Sequence, residues 1–249
     1  MKILSLNTQK AFQPALQDFL KKILENDIYD FILLQEVTDS VFPLVSNIGS
    51  YTLLGAFDET VQAQSHLLIV YRNKFVLKKS SLDSFALMHP SPRLRHSGFG
   101  ILLGTFSTHG GDVTVGSLHL HSGLRSTVRV QEVESLKKRV IAEQDTGTPL
   151  IFGGDFNLGL PGEVIRACTI MAPQFIAKTR HLGPTLNSRY SEPHPNIVNT
   201  SAVFLAKFGI GFNLKTDHFF TDTETAKRSE TRILSDRVSD HSPIELTIS

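Results

Sequence analysis

Residues Leu150–Asn157 (LIFGGDFN) contain the strongest structural signal in this sequence, because an apolar run ends in two glycines, an aspartate and an asparagine. The run Leu150–Gly153 is typical of a buried strand, and the glycines allow a close backbone approach at its end. Asp155 and Asn157 stand two positions apart, so both side chains project to one side of an extended segment. A simple Asx-turn after the strand is the alternative interpretation.

Seven further apolar runs predict strands, and polar residues stand at the ends of several of them. The eight predicted strands are Lys2–Asn7, Phe31–Leu34, Leu67–Tyr71, Gly100–Phe106, Asp112–His121, Leu150–Gly153, Asp217–Phe220 and Ile244–Ile248. The polar residues at or beside strand ends are Asn7, Glu36, His119, His121, Asp155, Asn157, Asp240 and His241. A carboxylate beside an apolar run is costly to bury unless it is paired or binds a metal. We therefore expect these strand ends to meet at one rim of a sheet scaffold.

Two segments have the apolar periodicity of helices, Pro14–Asn26 and Ser126–Glu143. In the second segment, Leu136 and Val140 belong to the predicted buried side, and Glu132 is expected on the exposed side. The predicted strands cluster instead of alternating strictly with helices, which favours two packed sheets with helices outside.

Composition excludes several classes of protein. The 249 residues include 41% hydrophobic and 20% charged residues, which is ordinary globular usage. A formal net charge of +1 argues against a broad basic surface for coating nucleic acid. The single cysteine, Cys168, excludes an intrachain disulfide and favours a small buried side chain in a reducing, cytoplasmic protein. No apolar run is long enough to span a bilayer, so no membrane span is expected.

The sequence lacks the P-loop, dinucleotide-binding, serine-hydrolase and zincin motifs, which removes the usual support for those chemistries. What it offers is a set of oxygen ligands, which suits Mg²⁺ or Mn²⁺ better than zinc. This set consists of the carboxylates Glu36, Asp155, Asp217 and Asp240 and the amides Asn7 and Asn157. Together with histidine donors, these residues describe metal-assisted hydrolysis of a phosphate ester.

Six short motifs, in order along essentially the whole chain, resemble those of the endonuclease/exonuclease/phosphatase superfamily, the DNase I-like fold. They are Leu6-Asn7, Leu33-Leu34-Gln35-Glu36-Val37, Gly116-Ser117-Leu118-His119-Leu120, Gly154-Asp155-Phe156-Asn157-Leu158, Asp217-His218-Phe219-Phe220 and Ser239-Asp240-His241-Ser242-Pro243-Ile244. The resemblance implies a four-layer α/β sandwich, in which two central mixed β-sheets are flanked by helices. It also implies that residues 1–249 form a single domain.

The resemblance implies where the metal and the attacking water are held. Glu36 is expected to be the principal Mg²⁺ ligand, aided by Asn7 and Asp240, and Mn²⁺ is expected to substitute. Asp155 is expected to be the general base that deprotonates the water. Asn157 is expected to help hold the phosphate or the nucleophile.

The resemblance also implies two imidazole contacts to phosphate oxygens. His241 is expected to donate to one oxygen, and Asp217 to orient the His241 ring and keep it protonated. His119 is expected to make a second donor contact. The implied activity is that of a Mg²⁺-dependent phosphodiesterase or nuclease acting on a phosphate ester, with nucleic acid as the favoured substrate. A phosphomonoesterase or a lipid or inositol phosphatase on the same fold is an alternative. A non-catalytic binding module is another.

The motifs are most similar to those of the tyrosyl-DNA phosphodiesterase 2-like group, although the sequence has no tryptophan. Leu6 and Leu186 occupy positions at which that group has tryptophan. Two basic clusters are candidates for contacts with further phosphates, or are simply solvated surface: Arg93, Arg95 and His96, and Arg125 and Arg129. The sequence assigns no role to His121, and a monomer is the favoured oligomeric state.

Overall fold

Two six-stranded sheets dominate the protein, as seen in a computed structural model. The structure describes residues 1–8, 14–38, 41–46, 48–55, 66–85, 100–121, 131–132, 135–136, 138–140, 142–143, 146–157, 190–191, 201–202, 213–214, 217–236, 238–239 and 241–249. Several residues singled out above lie outside these ranges, namely Arg93, Arg95, His96, Arg125, Arg129, Cys168, Leu186 and Asp240. Within the described part of the chain, no helix combines the length and the apolar character needed to cross a bilayer.

The first sheet joins both ends of the described chain. Its strands are β1 (Lys2–Asn7), β2 (Phe31–Val37), β3 (Tyr51–Gly55), β4 (His66–Arg72), β13 (Ser229–Ile233) and β14 (Ile244–Ile248). They lie in the order β13-β14-β1-β2-β4-β3. Since β1 and β2 are parallel and the other neighbours are antiparallel, the sheet is mixed.

The second sheet is also mixed. Its strands are β5 (Val76–Ser84), β6 (Gly100–Thr108), β7 (Gly111–His119), β8 (Leu150–Asp155), β9 (Tyr190–Ser191) and β12 (Asp217–Asp222), in the order β5-β6-β7-β8-β12-β9. Only β7 and β8 are parallel neighbours here. Two short strands, β10 (Ser201–Ala202) and β11 (Asn213–Leu214), pair separately.

Helices cover the outer faces of the sheets. Among the residues that the structure describes, helices with defined bounds are α1 (Pro14–Glu25), α2 (Phe42–Ser46) and α3 (Thr223–Lys227). The buried stripe of α1 packs on the outer face of the first sheet. Leu136 and Val140, from the partly described helix between residues 131 and 143, pack on the outer face of the second sheet. Together with the apolar core between the sheets, these layers confirm the predicted four-layer α/β sandwich.

The facing sides of the two sheets change from apolar to polar along the strands. On β1, Ile3 belongs to the core between the sheets, Ser5 follows two positions later, and Asn7 ends the strand. Gln35 of β2 crosses between the sheets at the middle level, since its Nε2 donates to Ser117 Oγ of β7 at 3.0 Å. The polar side chains between the two sheets therefore lie towards the end of the gap at which Asn7 is located.

Two expectations for the chain after β7 are wrong. The strand ends at His119, so the alternation of side chains does not continue to His121. Glu132, expected on the exposed side of its helix, is only 1% exposed. Its carboxylate accepts a hydrogen bond from the His121 backbone N–H at 3.1 Å, which compensates part of the cost of burying it.

Candidate active site

Six of the predicted site residues meet at the polar end of the gap between the sheets. Strand direction explains this, because the carboxyl ends of parallel neighbours lie at one edge of a sheet. Asn7 and Glu36 lie in the last two positions of β1 and β2, and His119 and Asp155 end β7 and β8. Asp217 begins β12, which is antiparallel to β8, and pairs directly with Asp155. His241 precedes β14, so it reaches the same end of the first sheet.

A buried Asp217–His241 pair faces Asp155. Asp217 Oδ2 lies 2.8 Å from His241 Nδ1, a hydrogen bond that requires the proton on Nδ1. His241 Nε2 lies 3.7 Å from Asp155 Oδ2. The three residues are between 2% and 8% exposed, so their charges interact with little screening by solvent. The pair thereby fixes which edge of the imidazole is turned towards Asp155.

Asp155 is held by donors on both carboxylate oxygens. Oδ1 accepts from the Asn157 backbone N–H at 2.8 Å, and Oδ2 accepts from Asn7 Nδ2 at 3.0 Å. The pKa of Asp155 is raised to about 7: burial is the largest cause and Asp217 adds to it, while His241 and the two donors lower it. A carboxylate that titrates near neutrality is suited to accept a proton from water.

Glu36 reaches this site although its strand is irregular. Its Oε1 lies 3.2 Å from Asn7 Nδ2 and 3.5 Å from His119 Nε2. The register of β2 against β4 shifts between Leu34 and Val37, and the φ angle of Glu36 is 53°. Unlike the more buried Asp155, the side chain of Glu36 is 21% exposed, so one side of the carboxylate faces outward.

Asn157 departs from the extended geometry predicted for it. Its φ angle is 50°, and its Nδ2 donates to the Leu120 carbonyl at 2.6 Å. The bond from its backbone N–H to Asp155 is the Asx-turn raised above as an alternative. The Asx-turn is therefore present, and it orients the same carboxylate that lies beside His241.

Gly154 is required by the close approach of β7 and β8. Its φ angle is 152°, and a Cβ added there would lie 1.8 Å from the Leu118 carbonyl oxygen. No side chain fits at that distance, so the glycine lets β8 bring Asp155 level with His119.

Sequence reasoning did not select Ser239 as a site residue, although it lies in a quoted motif. Its hydroxyl donates to the Asn7 carbonyl at 2.7 Å and accepts from the His241 backbone N–H at 2.9 Å. Ser239 thus joins the end of β1 to the segment that carries His241. Its position two residues before that histidine was the only available signal.

The residues present fit a hard divalent cation. Glu36 and Asn7 offer carboxylate and amide oxygens, the donor types that Mg²⁺ prefers, and Asp240 lies outside the described residues. Atoms of Asp155, Asp217 and His241 also lie within 4.8 Å of one another and could hold a cation. In that second group, however, Nδ1 already bonds Asp217, which favours a proton-transfer arrangement.

Known protein structures share this architecture. The structure of D. rerio TDP2 complexed with single-strand DNA product is 17% identical, covering 100% of this chain and 98% of that chain with a TM-score of 0.71. Truncated Caenorhabditis elegans TDP2 is 19% identical, covering 99% and 96% with a TM-score of 0.70. A mannosyl-6-phosphatase from Bacteroides thetaiotaomicron is 14% identical, covering 100% and 99% with a TM-score of 0.68. Comparison with curated proteins gives no significant match in sequence.

These likenesses confirm the DNase I-like fold, and TDP2 is a member of the group singled out by the motifs. Sequence comparison with protein families extends the agreement from fold to family. The model described as Endonuclease/Exonuclease/phosphatase family matches residues 4–241, nearly the whole chain. The chain therefore belongs to the endonuclease/exonuclease/phosphatase family, and it is a hydrolase of phosphate esters.

Proposed function

We propose that this protein is a Mg²⁺-dependent phosphodiesterase or nuclease that cleaves a phosphate ester of nucleic acid by in-line attack of water. The observation that carries the proposal is the placement of Asp155 against the Asp217–His241 pair, with Glu36 linked to the same carboxylate through Asn7. A base, a charged imidazole and a metal-type carboxylate are then all within reach of one phosphate.

Asp155 is the general base in this proposal. It takes a proton from water as the oxygen attacks phosphorus, and the bond from phosphorus to the leaving oxygen breaks on the opposite side. A pKa near 7 supports this role, because the ionised form is available at neutral pH and still accepts a proton readily. Donors from Asn7 and Asn157 keep the carboxylate from rotating.

His241 and His119 bind the phosphate oxygens. The Asp217 carboxylate accepts from His241 Nδ1–H and stabilises positive charge on the ring, and the imidazolium form then presents a second donor, Nε2–H, on the Asp155 side. His119 is held by Glu36, whose Oε1 lies 3.5 Å from its Nε2. Donors of this kind stabilise the negative charge that develops on the equatorial oxygens.

Glu36 and Asn7 would hold the metal together with Asp240. When bound, Mg²⁺ supplies charge neutralisation and polarisation of the phosphoryl group. The protein itself contributes the partly exposed carboxylate of Glu36 beside the buried Asp155.

Two of the similar structures bear on the choice between a diester and a monoester. A TDP2 structure holds a single-strand DNA product, which favours nucleic acid, whereas the mannosyl-6-phosphatase has a similar TM-score. The same base, donors and metal serve either reaction, so a phosphomonoesterase remains the second candidate.

A substrate panel with matched variants tests the proposal. The panel contains a generic phosphodiester, single-stranded DNA, an abasic duplex, a 5′-tyrosyl oligonucleotide, and sugar and inositol phosphates, each with Mg²⁺ and with EDTA. Asp155→Asn should retain the fold and lower turnover by roughly 10²–10⁴, the range for a general base. The exposed Asp18 serves as control through Asp18→Asn, which should leave turnover unchanged. Hydrolysis that survives EDTA, or wild-type rates in the Asp155 variant, would contradict the mechanism.

A further inference from the structure

Glu36 lies on the opposite face of β2 from the one that a regular strand would give it. Its neighbour Gln35 faces the second sheet, so regular alternation would turn Glu36 outward to the face where Leu34 packs among the helices. Glu36 instead contacts Asn7 and His119 on the inner side. An extra residue in β2 opposite β4 and a left-handed φ of 53° reverse the direction of its side chain.

The left-handed conformation is disfavoured for a residue with a side chain, so contacts elsewhere must favour it. Thr8, which directly follows β1 and is 1% exposed, makes such contacts. Its backbone N–H donates to the Gln35 carbonyl at 2.9 Å. Its hydroxyl Oγ1 lies 3.0 Å from the carbonyl oxygens of both Gln35 and Glu36.

The position of this hydroxyl is selective for the reversed conformation. In a regular strand, successive carbonyl groups point in opposite directions across the sheet, so one side-chain hydroxyl cannot reach both. The carbonyls of Gln35 and Glu36 converge on Thr8 because the chain reverses between them. The Thr8 hydroxyl therefore stabilises the conformation that places the Glu36 carboxylate in the site. If β2 became regular, the hydroxyl would lose one of its two carbonyl partners.

We propose that Thr8 is a positioning residue that holds Glu36 in its metal-binding orientation. The proposal rests on the function proposed above, since it assigns Glu36 to the metal. Outer-shell partners that orient a ligand typically contribute 10–100-fold to metal affinity. Thr8→Val keeps the shape of the side chain and removes the hydroxyl, so we expect Mn²⁺ to bind at least about tenfold more weakly.

The experiment measures Mn²⁺ binding by direct titration, with free Mn²⁺ followed by electron paramagnetic resonance and without any substrate. Thr8→Ser keeps the hydroxyl and should restore affinity to within about threefold of wild type, since the outer-shell contact survives. Thr114→Val is the matched control. Thr114 is equally buried and bonds another hydroxyl, that of Thr105 at 3.0 Å, in the opposite half of β7 from His119. The control should bind Mn²⁺ as the wild type does.

Crystal structures of the metal-free wild type, Thr8→Val and Thr8→Ser give a second readout. Thr8→Val should lose the left-handed conformation of Glu36 and the contact of its carboxylate with Asn7, and Thr8→Ser should retain both. Unchanged Mn²⁺ affinity in Thr8→Val, or an unchanged Glu36 conformation in its crystal structure, overturns the role of Thr8. If the wild type fails to bind Mn²⁺ at all, the proposed metal function fails instead, and the metal-free structures still decide the positioning claim.

Discussion

The charge state of Asp155 makes a quantitative prediction about stability. Its pKa rises from 3.8 to about 7 on folding, mainly because the carboxylate is buried. Below about pH 4 the group is protonated in both folded and unfolded chains and carries no penalty. As pH rises from about 4 towards 7, Asp155 loses its proton in the unfolded chain but keeps it in the folded chain. The free energy of unfolding therefore decreases over this range, so the stability that this group contributes at low pH is lost as pH increases.

The size of the effect follows from that difference. About three pH units at 1.36 kcal/mol each give about 4 kcal/mol as an upper bound. Asp155→Asn cannot ionise, so its free energy of unfolding relative to wild type should increase by up to that amount between about pH 4 and about pH 8. The variant must also leave either Asn157 or Asn7 without its carboxylate acceptor, which costs about 1–3 kcal/mol at every pH.

Because that cost does not depend on pH, the change with pH is the diagnostic quantity. The assay is urea unfolding across this pH range, with EDTA present to remove metal, for wild type, Asp155→Asn and the exposed control Asp18→Asn. The Asp18 variant should track the wild type at all values of pH. A difference between Asp155→Asn and wild type that stays flat with pH would refute the assignment of a raised pKa to this carboxyl group.

Three further changes test other parts of the structure. His241→Ala should lower turnover by roughly 10²–10³ in steady-state kinetics, as for loss of one charge-stabilising donor, and a smaller effect would count against its contact with phosphate. Gly154→Ala should destabilise the fold by more than about 3 kcal/mol in urea unfolding, because its Cβ would lie 1.8 Å from a backbone oxygen; a variant of normal stability would mean that β7 and β8 can separate there. Burial alone would raise the pKa of Glu245, but hydrogen bonds from Arg232, Tyr29 and Lys2 lower it. Glu245→Gln should therefore cost about 2–4 kcal/mol at neutral pH and less as pH falls through the range where the wild-type group is protonated; a cost that does not change with pH would be inconsistent with the ion pairs.

The sequence predicted the central strands well and the edge strands poorly. All eight predicted strands are present as β1, β2, β4, β6, β7, β8, β12 and β14. The longer strands it missed, β3, β5 and β13, lie at sheet edges. Edge strands have one side open to solvent, and β5 (Val76–Ser84) alternates exposed and half-buried residues without a continuous apolar run. Continuous hydrophobicity marks burial on both faces, which only the interior strands have.

The sequence also predicted that the site residues converge, because they follow predicted strands and parallel neighbours end at the same edge of a sheet. The inward direction of Glu36 was not predictable from alternation, because a left-handed residue reversed it. The burial of Glu132 was also not predictable, because its partner is the backbone N–H of His121, which only the tertiary structure places beside it. Sequence patterns describe one element at a time and do not register a donor that arrives from another element.

The position of β14 in the first sheet has a consequence for biosynthesis. This strand (Ile244–Ile248) is inserted between β1 and β13, and His241 is positioned by the turn that leads into it. A nascent polypeptide from which residues 241–248 have not yet left the ribosomal exit tunnel has neither this imidazole nor the neighbour of β1. His241 can therefore join Asp217 only after β14 has been made and has paired with β1, which makes assembly of the site a late step of folding.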